Sequence, residues 1–324
     1  MTSKDLYELY KKYKTLLPLY YSLKERINFI LEIENMVITF ENFSDAILYF
    51  AGIKDKAKLK FRSGLTIDAN KETKQLARVL YELYKSVSLK DAKDTCEYCW
   101  RVDWKNKILI LPNGLRFYLY SLDMVFSETF IHDIHFVGFD LKDKIIVDIG
   151  AFVGDTALYY ANLGAIVYSY EPHPVNFYWL KKNIELNPNL KDRIKIFNEA
   201  VGKDEEVEAK VGVNISGNFS IYNPLKGKAL RIRSISLRKI LKENNLENPY
   251  LLKADCKGCE YHIIEDDTIS KFEKVKIEYA GVNRPKVDYI INKLKKQGFR
   301  KFRIFKHNCG IYHSQDHGTI YAEK

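Results

Sequence analysis

From about residue 126 to the C-terminus, short apolar runs alternate with amphipathic stretches, and this pattern restricts the fold more than any other feature of the chain. The runs predict strands at 144–149, 166–171, 194–201, 250–255 and 274–280. Helical spacing of apolar residues predicts helices at 154–163, 174–186, 235–244, 260–270 and 286–297. Consecutive strands separated by helices pair in parallel, because each helix carries the chain back across the sheet. The expected fold class is therefore α/β, a parallel sheet with helices on both faces. The tail "KFRIFKHNCGIYHSQDHGTIYAEK" supplies two more strands as a closing hairpin.

The first 125 residues read differently. Residues 1–50 have helical spacing with a break at Pro18, and "KAKLKFRSGLTIDAN" reads as two short strands about a Ser-Gly turn. An amphipathic helix follows in "KETKQLARVLYELYKSV", then a hairpin around Pro112-Asn113-Gly114. We expect a smaller mixed α+β region over 1–125, with a substrate-binding or oligomerisation role, and a catalytic domain over 126–324. At 324 residues, 46% hydrophobic and 14% aromatic, the chain has ample material for both cores.

The apolar runs fall well short of the ~20 residues of a membrane span, and no apolar leader follows the charged N-terminus. A cytoplasmic protein without a membrane span is expected. The composition, rich in Lys, Ile and Tyr, resembles that of archaeal proteins from hot environments. Net charge is +10, from 52 basic and 42 acidic residues. Its densest block runs from Lys293 to Lys306, with seven basic residues and no acid. That block reads either as a solvated surface or as a patch for an anionic partner.

The five cysteines include two C-x-x-C pairs, Cys96 with Cys99 and Cys256 with Cys259. Their separation argues against a shared zinc site, and buried free thiols are expected, with disulfides as the alternative. His307, His313 and His317 cluster without an acid at fixed spacing, so no metal is expected.

The turn after the first of these strands, Gly150-Ala151-Phe152-Val153-Gly154, carries the chemistry. Ligands of parallel sheets bind at the carboxyl ends of the strands. Asp148 lies near the end of this strand and Glu171 at the end of the next, where a carboxylate can accept both hydroxyls of a ribose. The middle glycine of a dinucleotide fingerprint is missing, and no phosphate-binding lysine follows. A nucleoside without phosphates fits better. S-adenosylmethionine carries a ribose, an adenine and a cationic end that would favour Asp148. Asn198, Glu199 and the backbone at Ala200 end the third strand, where the adenine edge would lie. Asp255 ends the fourth, opposite the methyl group.

"VDIGAFVGDTALYYANLGA", "YEPHPVNFYWLKKNIELN", "NEAVG" and "LLKADCKGCEYHII" occur in the order in which they stand in the FkbM methyltransferases, and the chain resembles that family over roughly 126–300. The resemblance implies a Rossmann-like class I methyltransferase sheet, S-adenosylmethionine as cofactor, and O-methylation of sugar or natural-product hydroxyls. Carried onto this sequence, it implies cofactor contacts from Glu128, Asp148, Gly150, Ala151, Phe152, Gly154, Asp155, Thr156, Glu171, Pro172, His173, Asn198, Glu199, Ala200 and Asp255. Two departures sit where the acceptor binds. Lys257 replaces an acid of the fourth motif, and Ala280 follows Glu278 where the family often has histidine.

Methyl transfer to a hydroxyl needs alignment and a base. Asp255, Glu260 and Lys257 are the candidate catalytic residues, with Asp255 first as base. Glu260 is equally able to cap the turn, and His262 is expected on the helix flank. Lys257 either pairs with Asp255 or Glu260 or binds an anionic acceptor, the latter being favoured. Three readings stay open: a small-molecule or glycan O-methyltransferase, an RNA methyltransferase, which is less favoured, and an inactive cofactor-binding protein.

Overall fold

The computed structural model describes residues 32–93, 96–123, 125–138, 140–217, 219–222, 227–279, 286–306 and 318–324. The expectations for the first helices and Pro18, and for Ala280, His307, His313 and His317, lie outside these. The chain divides into two compact units, Met1–Ser127 and Glu128–Lys324.

In the first unit, residues 32–39 are helical and α1 spans Phe43–Phe50. Strands β1 (Ala57–Lys60) and β2 (Thr66–Ala69) pair antiparallel across the Ser-Gly turn, bringing Leu59 opposite Ile67. Helix α2 (Lys74–Ser86) buries Leu76, Val79, Leu80 and Leu83 on one stripe. Phe40, Phe61 and Tyr81 form an aromatic core, with Phe40 and Phe61 centroids 4.6 Å apart. Strands β3 (Leu89–Asp91), β4 (Trp100–Asp103), β5 (Ile108–Ile110) and β6 (Arg116–Tyr118) form a second sheet in that order. The hairpin about Gly114 joins β5 and β6 as the sequence predicts. Strands β3 and β4 are too short for periodicity to reveal. Helix α3 (Val125–Phe130) follows.

The second unit begins its sheet with β7 (Ile145–Ile149), α4 (Asp155–Asn162), β8 (Ile166–Tyr170), α5 (Pro174–Glu185) and β9 (Ile194–Phe197). The predicted strand 194–201 breaks at Asn198. Its end, β10 (Ala200–Val201), joins a separate small sheet with β11 (Glu205–Val211) and β12 (Lys228–Ile235), in the order β10-β12-β11. Ala200, Ala209, Val211, Phe219 and Ile232 form the core of this sheet.

The main sheet resumes after α6 (Leu237–Glu243) with β13 (Leu251–Ala254), α7 (Glu260–Glu265), β14 (Lys274–Tyr279), α8 (Val287–Lys296), β15 (Lys301–Lys306) and β16 (Gly318–Glu323). Its order is β15-β16-β14-β13-β7-β8-β9. Every neighbouring pair is parallel except those made by β16, which runs antiparallel to both β14 and β15. Strand order reverses between β7 and β13, so a crevice opens at their carboxyl ends. Ile149, Leu252, Ala254, Val275 and Ile277 are almost wholly buried beneath it, each large side chain contributing about 1.5–3 kcal/mol by leaving water. Among the described residues, no helix is long and apolar enough to cross a membrane.

Candidate active site

The sheet register sets the floor of the crevice. Asp148 on β7 lies beside Lys253 on β13, which lies beside Lys276 on β14. All three are buried. Lys253 Nζ stands 3.1 Å from Asp148 Oδ1 and donates to the Gly150 carbonyl at 2.9 Å. The Asp148 pair raises the lysine's pKa against the opposing effect of burial. Thr156 donates to Asp148 Oδ2 at 2.6 Å. Asp148 is thus fully buried and its charge is matched, which corrects the expectation that it faces a cationic ligand. Its Oδ1 nevertheless accepts no well-aligned hydrogen bond. Burial pushes neighbouring Asp155 up to about 6, although Thr129 donates to it at 2.5 Å. Glu128 is partly buried on α3.

Above this floor the glycine turn closes tightly. Gly150 has φ +78°, and a Cβ there would lie 1.9 Å from the Asp255 carbonyl oxygen. Phe152 is also left-handed, at φ +49°, and its amide donates to Glu171 Oε2 at 2.9 Å. Gly154 caps α4 at φ +87°. The Ala151 amide donates to the Tyr170 carbonyl.

Glu171 receives two further hydrogen bonds, from the His173 amide at 2.9 Å and the Asn176 side chain at 3.2 Å. Burial outweighs them and raises its pKa to about 7. A carboxylate accepts about four hydrogen bonds, so room remains for one ribose hydroxyl rather than the expected two.

Asn198 donates to the carbonyls of Glu171 and Pro172, at 2.8 and 3.2 Å. It therefore fastens β8 and does not keep its amide for an adenine edge. Glu199 pairs with Arg233 at 2.7 Å. Gly150, Pro172, Glu199, Ala200, Phe219 and Tyr222 wall a cleft at the strand ends. The Phe219 ring meets His173 edge-on at 4.9 Å. Asn176, unmarked in the sequence reading, secures this wall by donating to the Ser216 carbonyl at 3.0 Å and accepting from its amide at 2.9 Å.

At the far end, the turn after β13 is held from several sides. Glu260, wholly buried, accepts from the amides of Cys256, Lys257 and Gly258 at 2.9, 3.1 and 2.6 Å. These three bonds make it a turn cap, one of the two roles the sequence left open for it. Cys256 and Cys259 form a disulfide, as do Cys96 and Cys99, with Cα atoms 5.5 and 5.4 Å apart. Free thiols were the expectation, but the C-x-x-C turn sets the Cα atoms within bridging distance. His262 lies on α7, its ring 5.2 Å from that of Tyr222.

Lys257 has φ +57°. Its ammonium donates to Asp255 Oδ1 at 2.7 Å and to Glu278 Oε2 at 2.8 Å. Asp255, Glu260 and Glu278 bring carboxylate oxygens within 4.8 Å of one another, and Lys257 sets its cation among them. Burial and the Glu278 charge raise the Asp255 pKa, and Lys257 opposes them.

The residues fit S-adenosylmethionine. A glycine turn, a buried acid with one acceptor position to spare and a cleft beyond it suit a nucleoside, and carboxylates suit its cationic end. With this sheet order and site, the protein is a class I S-adenosylmethionine-dependent methyltransferase. Residues 148–301 match the methyltransferase FkbM domain.

No curated protein sequence matches the chain. Among solved structures, the methyltransferase domain of METTL16 aligns at 14% identity over 88% of this chain and 97% of its own, with a TM-score of 0.42. Precorrin-6y C5,15-methyltransferase from Geobacter metallireducens GS-15 aligns at 11% identity over 69% and 94%, with a TM-score of 0.36. The magnesium protoporphyrin IX methyltransferase from Synechocystis PCC 6803, solved with S-adenosylmethionine bound, aligns at 11% over 57% and 71%, also at 0.36. At these scores the alignments carry no argument about activity.

Proposed function

We propose that the enzyme methylates a hydroxyl on a sugar, glycan or other small molecule that carries no negative charge near the reacting oxygen. The observation behind this reading is the ammonium of Lys257 held between Asp255 and Glu278. That ammonium is already balanced, so the anionic acceptor favoured from the sequence gains nothing from it and would meet two acids.

S-adenosylmethionine supplies a methyl group already activated on a sulfonium. In this reading Glu171 holds one ribose hydroxyl, while Pro172, His173, Ala200 and Phe219 wall the base. Gly150, Ala151 and Phe152 give close backbone approach. Gly154, Asp155 and Thr156 fix the start of α4 behind them. Asp255 orients the acceptor hydroxyl and takes its proton, and its raised pKa makes it the stronger base. Lys257 keeps Asp255 in place. The test is transfer of labelled methyl from S-adenosylmethionine into cell extract. Label in a small-molecule or glycan fraction that resists nuclease supports the reading, and label confined to nuclease-sensitive material overturns it.

One observation favours RNA as a second reading. Lys295, Arg300, Arg303 and Lys306 stand around α8 and β15, and among the described residues no acid forms an ion pair with them. A gel shift with RNA that weakens steeply with salt supports this alternative.

A further inference from the structure

Strands β13 and β14 are parallel neighbours, with Ala254 beside Ile277. The next residue on each is therefore an acid, Asp255 and Glu278, and both lie at the strand ends where ligands bind. Glu278 is almost buried, and Lys257 reaches from the following turn to bridge the two.

The turn is built to hold Lys257 there. A non-glycine residue in the left-handed region costs about 1–2 kcal/mol, and its neighbour Gly258, at φ +138°, takes a conformation that L side chains rarely adopt. Three backbone amides bound to Glu260 and the Cys256–Cys259 disulfide fix this geometry. Strain so heavily supported marks a functional constraint.

We propose that Glu278 is a positioning residue for methyl transfer, acting through the Lys257 ammonium to hold Asp255 towards the acceptor and to set its charge. This rests on Asp255 being the base. Among the described residues, Lys257 sets one positive charge between these two carboxylates. The pair therefore takes up one proton more readily than either acid alone, and the proton it takes up is the one the acceptor hydroxyl releases as its oxygen bonds the methyl carbon and the carbon–sulfur bond breaks. Among the described residues, the charged groups facing Asp255 are Glu278 from β14, Lys257 from its own turn, Lys253 from β13 and Glu260 from α7.

The experiment follows the Asp255 carboxyl directly, by carbon NMR of the full chain labelled with aspartate, its resonance identified by loss in Asp255→Asn. Glu278→Gln removes a like charge, and the Asp255 midpoint should fall by about one pH unit. Lys257→Met removes the opposing charge, and the midpoint should rise. Lys257→Arg keeps the charge and should leave it near the parent value. The pH at which methyl transfer into cell extract reaches half its maximum should move in the same order, whereas a purely structural role for Glu278 leaves that pH unchanged. An Asp255 midpoint that is the same in the parent, Glu278→Gln and Lys257→Met overturns this inference. Parental methyl transfer by Asp255→Asn into cell extract would instead overturn the base assignment beneath it.

Discussion

Gly150 and Asp255 touch so closely that the turn after β7 and the turn after β13 form one unit: a Cβ on Gly150 would stand 1.9 Å from the Asp255 carbonyl oxygen. The glycine turn and the turn that carries Asp255 thus share a backbone contact. Gly150→Ala adds both a clash and a strained φ, and should destabilise the domain by about 2–4 kcal/mol. Urea unfolding and S-adenosylmethionine calorimetry should both register the change. Wild-type values in both would mean that the two turns are separable.

As the proposed ribose ligand, Glu171 would link cofactor binding to pH. Its pKa rises from 4.5 to about 7 in the folded protein. The folded state therefore favours the protonated acid. The stability this contributes is fully present below about 4.5 and is lost as pH rises through about 7. Glu171→Gln should flatten that part of the stability–pH curve. It should also weaken S-adenosylmethionine binding above pH 7 by about 1.5–3 kcal/mol, the worth of a hydrogen bond to a charged group. Urea unfolding across this window and calorimetry at pH 8 check the two halves separately.

Glu260→Ala tests the reassignment of that residue. Three half-buried amides would lose their acceptor at once, so the loss of stability should be about 2–4 kcal/mol. Glu260→Gln retains an acceptor oxygen and should recover part of it. A variant that keeps full stability but loses only methyl transfer would restore Glu260 to the catalytic set.

The Cys256–Cys259 bridge closes a very short loop, so its removal by double substitution to serine should cost only about 2 kcal/mol on chain-entropy grounds. Mass spectrometry of unreduced peptides should find Cys256 joined to Cys259 and Cys96 to Cys99. Free thiols at these positions in protein purified without reductant would return them to their expected state.

The sequence revealed what depends on neighbours along the chain. Gly150, Gly154 and Glu171 are legible because a tight βα turn and an acid one strand later have fixed spacing, and α2 and α8 because their periodicity is strong. Contacts set by register are not legible. Glu278 meets Lys257 only because β13 and β14 pair in one particular alignment, and no local pattern announces it. Strands β11 and β12 escaped for a related reason: their sheet is exposed and charged, with Glu206 opposite Arg233 and Glu208 opposite Arg231, so hydrophobic alternation is weak. Glu260 was ambiguous because a carboxylate at that spacing can cap a turn or serve a substrate, and only its three amide partners decide.

Asn176 provides the last test, because it joins two parts of the site that are far apart in sequence. It donates to Glu171 on one side and exchanges two hydrogen bonds with the Ser216 backbone on the other. Asn176→Ala deletes all three and should act in two ways. Glu171 loses one of the donors that stabilise its ionised form, so its pKa should rise further and cofactor affinity at pH 7 should drop. The segment carrying Phe219 loses its anchor, so the cleft wall should open and admit protease more readily. Asn176→Asp keeps an oxygen for the Ser216 amide but sets a like charge beside Glu171, so it should recover the protease resistance and not the affinity. Limited proteolysis and S-adenosylmethionine calorimetry on both variants separate the two effects. If Asn176→Ala changes neither, the hydrogen bonds to Ser216 do not hold the cleft wall and the segment's position has another origin.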